Sequence, residues 1–202
     1  MRLHKLPRSF YLRPTVRVAR ELPGKYLVRR LDGRKLIGRI VEVEAYRGVH
    51  DPASHAYRGK TARNEVMFRT GGHLYVYFTY GMHFCCNVVT EREGRGMAVL
   101  LRAVEPVDGL EIMAGNRHVT LPSGLVNLCS GPGKLCQSFG IARPENGTDL
   151  TGDAIWIAES RGDAPPKIVA TTRIGIREGR HHRWRFCTAG SPFVSRARPV
   201  EP

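Results

Sequence analysis

Apolar and polar residues alternate most clearly over residues 74–87, LYVYFTYGMHFCCN, and the alternation breaks once, at Tyr80-Gly81. Period two puts Tyr75, Tyr77 and Thr79 on one strand face and Leu74, Val76 and Phe78 on the other. The spacing predicts a β-hairpin with Gly81 at its tip, where glycine tolerates the positive φ of a tight turn. One face then joins a core while the other presents flat rings. Tyr80 fits such a tip poorly, since turns favour small polar residues. It reads either as part of an aromatic core hairpin or as a protruding wedge that enters a stack of bases.

The same patterning predicts the other elements. Two strand-like runs, KYLVRRL and RKLIGRIVEVEAY, flank Asp32-Gly33, a strong hairpin signal. Residues 97–104 form an apolar run, interrupted by Arg102, that suits a buried strand. Helices are expected over residues 16–22, with Thr15 as cap and Pro23-Gly24 as stop, and again from Glu105-Pro106. A third follows Ser130-Gly131-Pro132-Gly133-Lys134 and ends at Gly140. Further strands fall at 154–159 and within 167–176. Residues 1–15, basic and containing Pro7 and Pro14, read as an arm crossing the surface of one domain over 16–198. Residues 48–64 are polar and turn-rich and read as a functional loop, holding His50, His55 and Tyr57.

Four places carry candidate chemistry. Glu42 and Glu44 share a strand face, where two close ionised carboxylates raise each other's pKa unless a cation intervenes. The ordinary alternative is a solvated Val/Glu face. Arg102, inside an apolar strand, needs a carboxylate partner, for which Glu44 or Glu42 is the natural candidate; otherwise it snorkels from an edge. The Gly131–Lys134 turn fails the phosphate-loop spacing, although its helix start suits one phosphate. Residues 173–185 hold Arg173, Arg177, Arg180, His181, His182, Arg183 and Arg185, either a solvated charge run or a phosphate-binding one. A zinc site from His181, His182 and Cys187 lacks a second ligand pair at the right spacing.

Bulk charge changes the picture more than composition does. The chain has 202 residues, 42% hydrophobic and 25% charged, ordinary for one soluble domain, but its net charge is +14. Such a surface favours polyanions, nucleic acid before membrane. Of the 32 cations, 26 are Arg, whose planar fork grips phosphate in two places. A coding bias that inflates Arg, Gly and Ala together contributes as well. Five scattered cysteines with no CxxC pair argue against a zinc ribbon or disulfide framework and favour a reducing compartment, bacterial cytoplasm or eukaryotic nucleus. The start has no apolar run of signal-peptide type, and no stretch reaches the ~18 apolar residues of a membrane span.

Taken together, VEVEAYRGVHDPASHAYRG, ARNEVMF, LYVYFTYGMHFCCNV, AVLLRAVEP, CSGPGKLCQ, RIGI and GSPFVS resemble the alkyladenine (3-methyladenine) DNA glycosylase family, in order over residues 24–195. The resemblance implies an α+β fold: one compact mixed domain with a curved antiparallel sheet, peripheral helices and a protruding β-hairpin. It implies excision of alkylated or deaminated purines from duplex DNA with no cofactor and no metal, by a monomer with no membrane association. It places Glu44 as general base, with Arg102 and the backbone carbonyl of Ile174 as partners of the attacking water. Tyr46, His55 and Tyr77 become the walls around a flipped base, and Asn87 the group that crowds out the 2-amino group of guanine. Tyr80 becomes the wedge that fills the gap in the duplex, with Met82 beside it. His83 departs from the aromatic usual there. Arg63, Lys134, Arg173 and Arg177 are candidate phosphate contacts.

Elementary chemistry agrees with that reading. An atom inside a duplex is reached only by flipping its nucleotide out, a case for which the glycosylases as a class are the standard example. A flipped base needs flat walls, each stack worth ~1–3 kcal/mol. Glu42 would oppose an ionised Glu44 unless it pairs with another Arg or turns away. Three rivals remain open: a non-catalytic nucleic-acid-binding module, a metal-dependent nuclease using Glu42, Glu44 and Asp51, and a structural domain that borrows the fold for RNA or formyl-methionine chemistry.

Overall fold

The computed structural model describes residues 2–79 and 81–195. Its centre is one antiparallel sheet of nine strands, with short helices of four to eight residues packed on it, an α+β architecture. In chain order the strands are β1 (Leu3–Lys5), β2 (Tyr26–Leu31), β3 (Arg34–Arg47), β4 (Leu74–Thr79), β5 (His83–Thr90), β6 (Met97–Asp108), β7 (Ile155–Ser160), β8 (Ile168–Thr171) and β9 (Arg185–Thr188). The helices are α1 (Arg8–Tyr11), α2 (Thr15–Glu21), α3 (Leu110–Arg117) and α4 (Pro132–Phe139). Spatial order is β1-β7-β2-β3-β6-β5-β4. The long β3 is the spine: β6 runs along one side, while β2 and then β9 share the other.

Local sequence explains much of this. Asp32 (φ 48°) and Gly33 (φ 76°) both take the left-handed conformation, as the expected two-residue turn between β2 and β3 requires. Gly81 (φ 66°) turns β4 into β5, closing a three-residue loop between Thr79 and His83. Gly140 (φ 63°) ends α4 where expected.

Alternation sets the two faces. Val43, Ala45, Leu74, Val76, Cys86, Val88, Val99 and Leu101 join the main core, closed by Leu135, Cys136 and Phe139 of α4. Glu42, Glu44, Tyr75, Tyr77, Asn87, Leu100 and Arg102 occupy the alternate positions. There a second cluster of Ala56, Val66, Met67, Tyr75, Val89 and Ala98 packs beneath the loop after β3.

Three expectations change. No helix opens at Glu105-Pro106; β6 continues through both, and α3 starts only after Gly109 (φ 77°). Pro106 sits opposite Gly38 at a shift in register, a place where a missing strand N–H is tolerated. Thr15 does not cap α2 but begins it, and the Glu91 carboxylate accepts both its N–H (3.0 Å) and its hydroxyl (2.6 Å). The segment expected as a surface arm is laid into the sheet edge: β1 pairs with β7, and Tyr11 is fully buried. Among the described residues no helix is long and apolar enough to cross a membrane.

Candidate active site

Strand register assembles the site. Glu44 on β3 is opposite Leu100 on β6, Leu100 opposite Asn87 on β5, and Asn87 opposite Tyr75 on β4. Directly paired residues share a face, so this is one row across four strands. Above it lies a cavity of about 340 Å3, lined by Tyr46, His55, Tyr75, Tyr77, Asn87, Leu100, Arg102 and the Ile174–Gly175–Ile176 segment, with others. That volume is in the usual range for a small-molecule pocket.

Glu44 is buried beneath the floor, and three of the lining residues hold it. The Ile174 N–H donates to one carboxylate oxygen at 2.8 Å. The Tyr46 hydroxyl donates to the other at 2.9 Å, with the Arg102 guanidinium at 3.4 Å. Burial and then the charge on Glu44 push the Tyr46 phenol well above its ordinary pKa, so it remains a donor. Ile174 thus reaches Glu44 through its N–H, a contact in addition to the carbonyl role implied by resemblance.

Glu42, also with no exposed side-chain surface, is satisfied separately. It accepts from Arg102 Nε (2.8 Å), Arg185 Nε (2.6 Å), and the Ser195 N–H (2.6 Å) and hydroxyl (2.8 Å). The second Arg expected for it is therefore Arg185. Burial opposes the charge on Arg102, but Glu44 and then Glu42 outweigh it and raise its pKa. Two guanidiniums and the Ser195 donors let two carboxylates coexist one residue pair apart on a strand.

The walls are aromatic. His55 stands edge-on to Tyr77, with centroids 4.5 Å apart at 81°, and its Nδ1 is 3.2 Å from the Tyr75 hydroxyl. Tyr75 and Tyr77 stack along β4 at 5.6 Å. Burial pushes the Tyr75 phenol up to about 12 and raises that of Tyr77 further, so both stay neutral. Asn87, buried, is pinned by its amide to the Tyr75 carbonyl at 3.2 Å. Burial pushes the Cys85 thiol, beside Tyr77, up to about 11, which keeps it protonated. Sequence reasoning missed Tyr75, Arg185 and Ser195 as site residues. The period-two face signalled Tyr75, whereas nothing local signals that Ser195 closes on Glu42 across 153 positions.

The remaining candidates separate. Met82 at the hairpin tip is 69% exposed; Tyr80 lies outside the described residues. Arg63 is exposed and bonds the Phe78 carbonyl at 3.3 Å. Lys134 bonds the Asn127 side chain. Arg177 is exposed.

Arg173 is a correction. It is buried in a two-armed ion pair with Asp51 (2.5 and 2.9 Å) and donates to the Ala45 carbonyl (3.0 Å), leaving no exposed fork for phosphate. Its guanidinium lies 4.7 Å from the Tyr46 ring centroid, behind the cavity wall. That pairing also occupies the Asp51 carboxylate on which a nuclease reading relied. His181, His182 and Cys187 do not converge; among the described residues no group of three His, Cys, Asp or Glu is placed to hold a metal.

A flat-walled cavity above a buried, cation-held carboxylate, on a strongly basic protein, is the arrangement expected of a nucleic-acid-binding enzyme. Comparison with known proteins makes this particular. The family model for methylpurine-DNA glycosylase (MPG) matches residues 9–192, and the chain belongs to that family of DNA-repair glycosylases. It is 52% identical over 194 residues to "Putative 3-methyladenine DNA glycosylase" of Carboxydothermus hydrogenoformans, covering 95% of this chain and 98% of that protein. Proteins of the same name from Alkaliphilus oremlandii and Methanocella arvoryzae are each 48% identical, covering 95% and 96% of this chain and 99% and 97% of theirs.

Proposed function

We propose that this glycosylase acts on duplex DNA as a monomer, flips a damaged purine into the cavity and hydrolyses its glycosidic bond, leaving an abasic site in an intact strand. The substrates are the 3-methyladenine, 7-methylguanine, hypoxanthine and etheno-adenine class. The observation that carries this reading is the row Glu44–Leu100–Asn87–Tyr75, which puts one held carboxylate under a ring-lined cavity.

Glu44 acts as general base. An ionised carboxylate has about four acceptor sites. The Ile174 N–H and the Tyr46 hydroxyl occupy two, and the Arg102 guanidinium stands 3.4 Å away as an ion pair, which leaves acceptor capacity for the water that attacks C1′ as the bond loosens. Arg102 places a positive charge 3.4 Å from the acid, beside where the water would be held. A purine methylated at N3 or N7 is cationic, so the faces of Tyr46 and Tyr77 attract it beyond stacking alone. It is also the better leaving group. Asn87, which lines the cavity and is fixed by its bond to the Tyr75 carbonyl, takes the role of opposing the 2-amino group of guanine in this reading. Among the described residues no Lys lines the cavity, which supports hydrolysis over Schiff-base chemistry and strand cleavage. Tyr80 and Met82 enter the stack beside the extruded nucleotide, at the minor-groove side where one ring fits a kinked step. The reducing compartment expected from the cysteines is where such a duplex is found.

Duplexes carrying each lesion, incubated with chelator present and then treated with hot alkali, test this. Strand breaks are expected only after alkali. Glu44→Gln should slow excision by about 10²–10⁴-fold while duplex binding persists. Excision unaffected by that substitution would remove Glu44 as the base, no breaks with any lesion from folded wild-type protein would reduce it to a binding module, and breaks without alkali would refute the intact-strand product.

A further inference from the structure

The segment that lines the cavity at Ile174, Gly175 and Ile176 continues directly into a basic stretch of the chain. Five arginines fall within 173–185, and they divide by role. Arg173 and Arg185, the outer two, are held by Asp51 and Glu42. Arg177, Arg180 and Arg183 are exposed and form no ion pair among the described residues.

Two of these three are tethered by backbone carbonyls. Arg180 Nε donates to the Ile176 carbonyl at 3.0 Å. Arg183 donates to the Ala170 carbonyl through Nε (3.1 Å) and Nη2 (2.8 Å). Each keeps terminal N–H groups with no protein acceptor among the described residues. A carbonyl restrains the guanidinium without cancelling its charge, so less side-chain freedom is lost when an anion binds.

The loop that presents them is also braced. His182 lies flat on Trp184, with centroids 3.8 Å apart at 1°, and His181 packs on His182 at 4.0 Å. Trp184 has Arg173 at 5.2 Å, and Arg173 in turn covers Tyr46. A column of planar groups therefore runs from the cavity wall to the exposed His181. The Trp184 carbonyl accepts the Ala45 N–H at 2.9 Å, which fixes the column to β3. A charge run that only keeps a loop solvated has no need of such support.

We propose that residues 177–183 are a second binding site, for the sugar-phosphate backbone beside the nucleotide held in the cavity, with Arg177, Arg180 and Arg183 each neutralising a phosphate. The identity of the ligand rests on the glycosylase reading above. Arg177 follows the lining residue Ile176 and Arg180 bonds its carbonyl, so the strand that carries the flipped nucleotide, in duplex DNA, is the occupant, and the His181–His182–Trp184 column braces the loop.

The test is the salt dependence of binding to a labelled duplex carrying a tetrahydrofuran abasic-site analogue. The slope of log affinity against log salt falls by about 0.9 for each phosphate contact removed. The triple variant Arg177→Ala, Arg180→Ala, Arg183→Ala should lose about 2–3 units of slope. The charge-matched control Arg30→Ala, Arg34→Ala, Lys35→Ala, exposed around the β2–β3 turn, should keep the wild-type slope. Lysines at positions 177, 180 and 183 should restore most of what alanine removes. Equal loss in both triple variants would show bulk charge alone and overturn the site. A wild-type slope in the 177/180/183 variant would overturn it while leaving the glycosylase reading intact. A wild-type protein that binds no duplex would overturn both.

Discussion

At the scale of single residues, the site is an electrostatic arrangement more than a shape. Arg102 is shared, with its Nε on Glu42 and its Nη1 near Glu44. Removing one member of a buried ion pair typically costs about 3–5 kcal/mol, because the charge left behind is uncompensated. Arg102→Ala should fall near the low end, about 3 kcal/mol. Glu42 keeps Arg185 and Ser195, and Glu44 keeps Tyr46 and Ile174. The urea midpoint measures this, and a loss under 1 kcal/mol would mean the pairing is slack. The sequence made Glu44 and Arg102 visible as an odd acid and an odd cation in apolar strands. It could not say that Glu42 has its own arginine, since Arg185 lies 143 positions away. For the same reason Arg173 misled: in a dense basic run, one buried guanidinium looks like its exposed neighbours.

At the scale of elements, β3 and β6 do the positioning. Their pairing carries register shifts around Glu42 and at Gly38, and such shifts re-aim side chains near active sites. Gly38 marks one of them. A Cβ there would meet Val104 Cγ2 at 2.5 Å and Phe139 Cζ at 3.1 Å. Gly38→Ala should therefore cost about 1–3 kcal/mol through overpacking, with the defect at the core face and not in the cavity. Thermal unfolding would record a lower midpoint, and an unchanged midpoint would show that β6 yields freely. Turn chemistry made the two hairpins legible, because Asp32-Gly33 and Gly81 supply a backbone conformation few residues adopt. The continuation of β6 through Glu105-Pro106 was not legible. Pro106 signals a helix start in isolation, and only pairing with Gly38 makes it a strand residue.

At the scale of the whole molecule, net charge governs both partner and acid stability. Glu159 is held below its ordinary pKa of 4.5, chiefly by the hydrogen bond from Lys25. Burial raises Asp149, but hydrogen bonds from Thr151 and the Arg8 pair outweigh it and lower its pKa below 3.8. Carboxylates depressed in the folded state stabilise it above those ordinary values, and the benefit disappears as pH falls through the folded ones. Stability should thus decline below about pH 4.5, where a molecule of net charge +14 also gains further repulsion. Each pair is partly exposed and contributes only about 0–1 kcal/mol. The double variant Glu159→Gln, Asp149→Asn should flatten the decline in urea midpoint between pH 5 and pH 3; an unaltered decline would assign it to other groups.

By itself the sequence determined which residues alternate, where the chain must turn and what sign of partner the surface seeks, since these follow from local sterics, two-residue periodicity and summed charge. It also carried enough ordered motifs to reveal the family. The tertiary structure alone decided which of two like charges is held by cavity-lining groups, which arginines are neutralised and which remain exposed. Those outcomes depend on strand register and on contacts between residues more than a hundred positions apart, and no local pattern encodes them.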